Sequence, residues 1–192
     1  MLPSSQSAAF NPHPGYIAGR NYGLLPISGQ PVAFNAIDVI YFQIVVLTRP
    51  LKFSGGTLYV VTGGVGSSVK AAIWANSPVS HRPLGAPLFA DNTGVATTSS
   101  SAAVALALGS GTLPEGFYWI GSKTTGTPPT VVASAAYDQR LAFLAGIASG
   151  SPATHTFRLA DTYSSNMPTI AEGAAFTNHG AGVPIFSLTS AA

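Results

Sequence analysis

The sequence predicts an all-β fold, an antiparallel β-sandwich of jelly-roll-like type with an extended N-terminal arm, and three observations carry that prediction. Short apolar runs with two-residue alternation recur along the chain. Glycine (21 residues) and proline (15) punctuate these runs instead of pooling in one tract. No stretch shows a convincing amphipathic helical period. A chain of 192 residues, 46% of them hydrophobic, supplies one well-buried core and falls short of two. Residues 16–192 are therefore expected to form a single sandwich domain, preceded by residues 1–15 as the arm.

The elements follow in chain order. Pro3, Pro12 and Pro14 stand among small polar residues, which makes residues 1–15 an extended segment with Phe10 and His13 as its candidate anchors on a neighbouring surface. In residues 38–48, Ile40, Phe42, Ile44 and Val46 alternate with Tyr41, Gln43, Val45 and Leu47. Both faces are apolar, as in a central strand, and Arg49-Pro50 ends it because proline has no N–H for the ladder. Strands at 57–62 and 69–75 flank Gly63-Gly64-Val65-Gly66-Ser67-Ser68, a turn sequence that predicts a hairpin. A Pro- and Gly-rich stretch at 76–87 leads to short strands near Leu88, at 94–98 and at 102–108. In the last of these Val104, Leu106 and Leu108 share a face, while Ala103, Ala105 and Ala107 make the other smooth enough to meet a second sheet or subunit closely. Leu113-Pro114-Glu115-Gly116 is a turn feeding the aromatic strand Phe117-Tyr118-Trp119-Ile120. Strands at 130–137, 140–144, 154–159 and 184–188 complete the sandwich, with a short helix at 135–144 as the competing reading.

Charge is scarce: 7% of residues are charged, against a usual share of roughly a quarter. With a mean hydropathy of +0.35, this composition predicts an exterior that partly faces other protein, hence a homo-oligomer or a larger assembly. The eight Lys and Arg residues are spread singly, without the stripe that neutralises phosphates, so nucleic acid is not an expected partner. The absence of cysteine excludes disulfides and thiolate metal sites. No apolar run approaches the ~18 residues of a membrane span, and 102–108 is far shorter, so no membrane insertion is expected. The first residues show no basic region followed by an apolar stretch, so no secretory signal is expected either.

Catalytic patterns are weak throughout. The 63–70 segment lacks the Gly-Lys-Ser/Thr order of a phosphate loop. His13, His81, His155 and His179 show no metal-pair spacing, and neither a metal nor another cofactor is expected. There is no Gly-x-Ser-x-Gly elbow, and the six acids are isolated in sequence. Asp138 beside Tyr137 and Asp161 near Tyr163 are the first candidates for a glycan hydrolase; the alternative is loop solvation or an ion pair with Arg140 or Arg158. A non-enzymatic role is therefore expected. Carbohydrate binding is the stronger functional alternative, because sugar rings stack on Trp and Tyr. In 69–75, Val69, Ala71 and Ile73 face the core, which sets Lys70, Ala72 and Trp74 on the opposite face. Trp74 and Lys70 are thus candidate glycan contacts, unless Trp74 is buried under a loop or at a subunit interface. Tyr118 and Trp119 point to opposite faces, so at least one belongs to the core.

Three stretches together resemble a β-sandwich module of structural and fibre-like proteins of tailed phages. They are Gly66-Ser67-Ser68-Val69-Lys70-Ala71-Ala72-Ile73-Trp74, then Arg82-Pro83-Leu84-Gly85-Ala86-Pro87-Leu88, then Leu113-Pro114-Glu115-Gly116-Phe117-Tyr118-Trp119-Ile120. The likeness extends more loosely to Leu51-Lys52-Phe53 and to 153–188, and the 76–83 loop departs from the module's usual run with Ser80-His81-Arg82. The resemblance implies a virion protein, a tail fibre, spike or head-decoration subunit, and a homo-oligomer, commonly a trimer, contacting other virion proteins; it supplies no catalytic residues. With neither a secretory signal nor a membrane span expected, synthesis in the host cytoplasm is expected, and a host-surface glycan is the further partner that the carbohydrate-binding alternative adds.

Overall fold

The computed structural model describes residues 18–23, 30–34, 36–133, 157–179 and 182–191. Among the described residues there are thirteen strands and no helix. In order they are β1 (Asn21–Gly23), β2 (Gln30–Ala33), β3 (Val39–Leu47), β4 (Leu51–Thr62), β5 (Ser68–Asn76), β6 (Pro83–Ala96), β7 (Ala102–Leu106), β8 (Gly111–Leu113), β9 (Gly116–Thr125), β10 (Thr130–Ala133), β11 (Phe157–Ala160), β12 (Thr177–Asn178) and β13 (Phe186–Ser190). The first sheet runs β1-β13-β4-β10-β2, with β7 and β8 paired to β4 as well; the second runs β12-β11-β3-β9-β5-β6. Every strand pair is antiparallel. The expected β-sandwich is therefore the observed architecture. The arm with Phe10 and His13, the expected strand at 140–144 and the alternative helix at 135–144 lie outside the described residues.

The core lies between the sheets. Tyr41, Val45 and Leu47 of β3, Val69, Ala71 and Ile73 of β5, and Tyr118 and Ile120 of β9 meet Leu51, Phe53, Leu58 and Val60 of β4, Leu106, Leu113, Val131, Phe186 and Leu188. Alternation then puts Ile40, Phe42 and Ile44, Ala72 and Trp74, and Trp119 on the far face of the second sheet, where they form a second buried cluster with Phe157, Met167 and Ile170. The doubly apolar pattern of β3 is thus explained. It lies between β11 and β9 and is covered on both faces. Both Tyr118 and Trp119 are buried, one in each cluster.

Three sequence expectations change. β4 and β5 belong to different sheets, so residues 63–67 cross the sandwich and close no hairpin. The glycines there serve close approach: a Cβ on Gly63 would come within 2.0 Å of Thr98 O, and one on Gly64 within 1.8 Å of Thr127 O. Gly66 supplies the one positive φ of the turn, 64°. The short strands expected near Leu88 and at 94–98 are one strand, β6, which tolerates its glycines and prolines because it shifts register twice against β5. The smooth face of β7 covers no second sheet: Ala103, Ala105 and Ala107 are exposed.

Gly121 of β9 marks the tightest packing on the far face. A Cβ there would meet Ile40 Cγ2 and Trp74 Cζ3 at 2.8 Å and Phe42 Cε1 at 2.9 Å. Gly121→Ala is expected to lower stability by about 1–3 kcal/mol, read as an earlier midpoint in urea unfolding. An unchanged midpoint would show that the aromatic cluster yields to a methyl group.

Candidate functional site

The outer face of the second sheet holds the most concentrated polar chemistry among the described residues. Register places Lys70 of β5 directly opposite Lys123 of β9, and Trp74 directly opposite Trp119. All four lie on the face that turns away from the sandwich core. Two like charges opposite each other repel, and burial removes the water that would screen them. Lys123 is 0% exposed and Lys70 only 6%.

The chain meets this demand with the segment 161–176, a strap laid across the face. Lys123 Nζ pairs with the Asp161 carboxylate and donates to Thr162 O (2.7 Å), Ser165 O and Ser165 Oγ (both 3.0 Å) and Asn166 O (3.3 Å). Lys70 Nζ donates to Tyr163 O (2.9 Å) and Ser165 O (3.1 Å) and sits 4.8 Å from the Tyr163 ring centroid. Burial, and then the charge of Lys123, pull the Lys70 pKa below its ordinary value, while Asp91 and Asp161 oppose the shift. Further ties hold the strap down. Tyr163 N donates to Asp38 Oδ1 (2.6 Å), Met167 N to Asn92 Oδ1 (2.7 Å) and Trp74 Nε1 to Pro168 O (3.1 Å). Gly85 and Ile170 exchange backbone bonds of 2.8 and 2.9 Å.

Of the two readings of Trp74, this geometry matches the one in which it is buried under a loop, and Lys70 is enclosed with it. Trp74 is 0% exposed, sealed beneath Pro168 and packed edge-on against Phe42 at 5.4 Å. Neither side chain is presented to a glycan in this conformation, because the strap spends both on its own backbone carbonyls. Asp161 also finds a partner other than Arg158, namely Lys123, and Asp138 and Arg140 lie outside the described residues. His81 is exposed in a turn with φ of 52°. His179 is 6% exposed and packs its ring on Tyr41 at 4.9 Å. No group of three His, Asp or Glu side chains is placed to hold a metal among the described residues.

Chemically the cluster is a latch. The Lys123 ammonium is surrounded by a carboxylate and four further acceptors, so all its donor protons are directed at the strap. Asp91 is similarly spent: Oδ1 accepts from Thr93 N (3.1 Å) and Gly94 N (2.8 Å), and Oδ2 from Ala107 N (2.9 Å), tying β6 to the end of β7. Sequence reasoning missed Lys123, Asp38 and Asn92. For Lys123 the signal was present, since it shares the alternation of Trp119 and Gly121 in an aromatic strand.

Two outcomes are expected. Asp161→Ala leaves the Lys123 charge buried without its carboxylate and is expected to cost about 3–5 kcal/mol in urea unfolding, more than Lys123→Met, which removes the charge itself. Equal losses would mean that the ammonium is not held by that carboxylate. The second concerns pH. Burial, and then Arg158, depress the His179 pKa below 6.5, against a backbone hydrogen bond with Gly182 that raises it. The unfolded chain therefore binds the proton first, so stability is complete above about pH 6.5 and falls as pH drops through the folded pKa. His179→Gln should flatten the stability difference between about pH 7 and pH 5; an unchanged slope would assign it to other groups. Compared with known proteins, the chain matches no family, and neither a curated protein nor a solved structure is similar to it.

Proposed function

We propose that the chain is a non-enzymatic structural subunit that assembles with copies of itself into a larger particle, in the manner of a tailed-phage fibre, spike or head-decoration protein. The observation that carries the assembly reading is the unprotected flank of the first sheet at β7. Ser101 N donates to Val61 O (3.1 Å), in register with the Tyr59↔Ala103 and Thr57↔Ala105 pairs. Alternation of the antiparallel ladder then directs the N–H and C=O groups of Ala102, Val104 and Leu106 away from β4, towards a side where no described strand pairs with them.

Edge strands in monomeric proteins are blunted by Lys, Pro or bulges. Here the sequence contains no charged residue from Asn92 to Pro114. The adjoining face offers exposed Ala103 and Ala105, with Tyr59 45% exposed beside them. A second copy of the chain suits this flank, because a partner equally poor in charge brings a matching edge and no unpaired ion to desolvate. The virion setting and the count of three copies rest on the sequence resemblance alone.

Analytical ultracentrifugation of the full chain is expected to give an oligomer, three copies by that resemblance. The double variant Ala103→Lys/Ala105→Lys should sediment as a monomer while keeping its β-sheet circular dichroism. A wild-type chain that stays monomeric at every concentration overturns the assembly reading. Mass spectrometry of purified particles that lack the chain overturns the virion setting.

A further inference from the structure

Arg82 stands at the outer end of the aromatic cluster in an arrangement that the strap latch does not use. Its guanidinium carbon lies over the Phe157 ring, 3.7 Å from the centroid, in a cation–π contact. Phe157 itself is buried against Trp119 at 5.8 Å and Phe176 at 6.4 Å, which fixes the platform. Among the described residues the guanidinium makes one hydrogen bond, from Nη1 to His81 O (3.1 Å), and no carboxylate lies within ion-pair distance of it. Partial burial of this cation without a counter-charge depresses its pKa.

The side chain lines a cavity of about 350 Å³ between the 80–83 turn and residues 171–176 of the strap. Ser80, Phe176 and the small side chains of Ala171 and Ala175 form much of the remaining wall. Glu172, flanked by the lining residues Ala171 and Gly173, is exposed, and the Ser80 and Ser77 hydroxyls hold its carboxyl below the usual range. No ion pair joins it to Arg82.

We propose that this cavity binds a monocarboxylated sugar residue of the uronic-acid type, with the carboxylate on the free N–H edge of Arg82. One cation in the lining calls for one anionic group. A guanidinium in such a cation–π contact keeps N–H donors open for the two oxygens of a carboxylate. The rest of the wall is apolar or neutral, so the body of the ligand is uncharged, and Phe176 offers a ring to the apolar face of a pyranose. The volume lies at the small end of ligand pockets and suits a single sugar residue. The site is distinct from Trp74 and Lys70, which the strap encloses.

Isothermal titration calorimetry on the full chain tests the assignment with glucuronate, glucose and inorganic phosphate as probes. Glucuronate is expected to bind saturably, with glucose and phosphate each weaker by about tenfold or more. Arg82→Gln should weaken glucuronate by a similar factor. Because Arg82 also covers Phe157, a second variant guards against loss of folding: Ala175→Leu, at an exposed position, fills the cavity and should weaken binding with no change in unfolding midpoint. Absence of saturable glucuronate binding, equal affinity for glucose or phosphate, or indifference to both substitutions overturns the proposal.

Discussion

Everything on the outer face of the second sheet depends on the burial of Lys123. An ammonium with no access to water is tolerated only when its charge is paired and its three protons are taken up. On this chain the acceptors arrive from residues 161–166, far along the sequence from β9. Placing that segment over Lys123 also lays Met167, Pro168 and Ile170 over Ile40, Phe42, Trp74 and Trp119. A single charge thus specifies where an otherwise irregular strap must dock, and the strap in turn converts an exposed aromatic face into interior. The energetic gain comes from the apolar burial; the lysine supplies register.

The two sheets consequently differ in kind. The second is covered on one side by the sandwich core and on the other by the strap, so its central strands β3, β5 and β9 are buried on both faces. The first has one face in the core, and its opposite face carries neutral residues such as Thr57, Tyr59, Ala103 and Ala105, with β7 as an unpaired flank. Scarcity of charge has different meanings on the two sides. Beneath the strap two ions, Lys123 and Asp161, are paired with each other. At β7 their absence leaves backbone donors and acceptors with no electrostatic guard, which is the physical basis for reading that flank as an assembly edge.

Arg82 shows how a residue that departs from a familiar pattern acquires meaning only in context. In the sequence, Ser80-His81-Arg82 was merely an irregular loop. In the fold that loop delivers a guanidinium onto Phe157, at the rim of a cavity whose far wall is the same strap. The latch and the cavity are therefore linked. Opening the strap would dismantle the pocket as well as uncover the aromatic face.

Much of the local structure was legible in the residues themselves. Alternation in 38–48 and 69–75 assigned each side chain to its face, Arg49-Pro50 marked the end of β3, and Leu113-Pro114-Glu115-Gly116 marked the turn before β9, because strand period and turn chemistry are properties of neighbouring residues. Gly63-Gly64 misled for the same reason. Its composition suits a hairpin, but its glycines answer to the backbones of Thr98 and Thr127, which lie elsewhere in the chain. The all-β class and the sidedness of the main strands follow from the residues alone. The sheet each strand joins, the enclosure of Trp74 and Lys70 and the pairing of Lys123 with Asp161 arise only in the folded chain. Those outcomes depend on which distant segment comes to cover a face, and alternation within a strand carries no information about its cover.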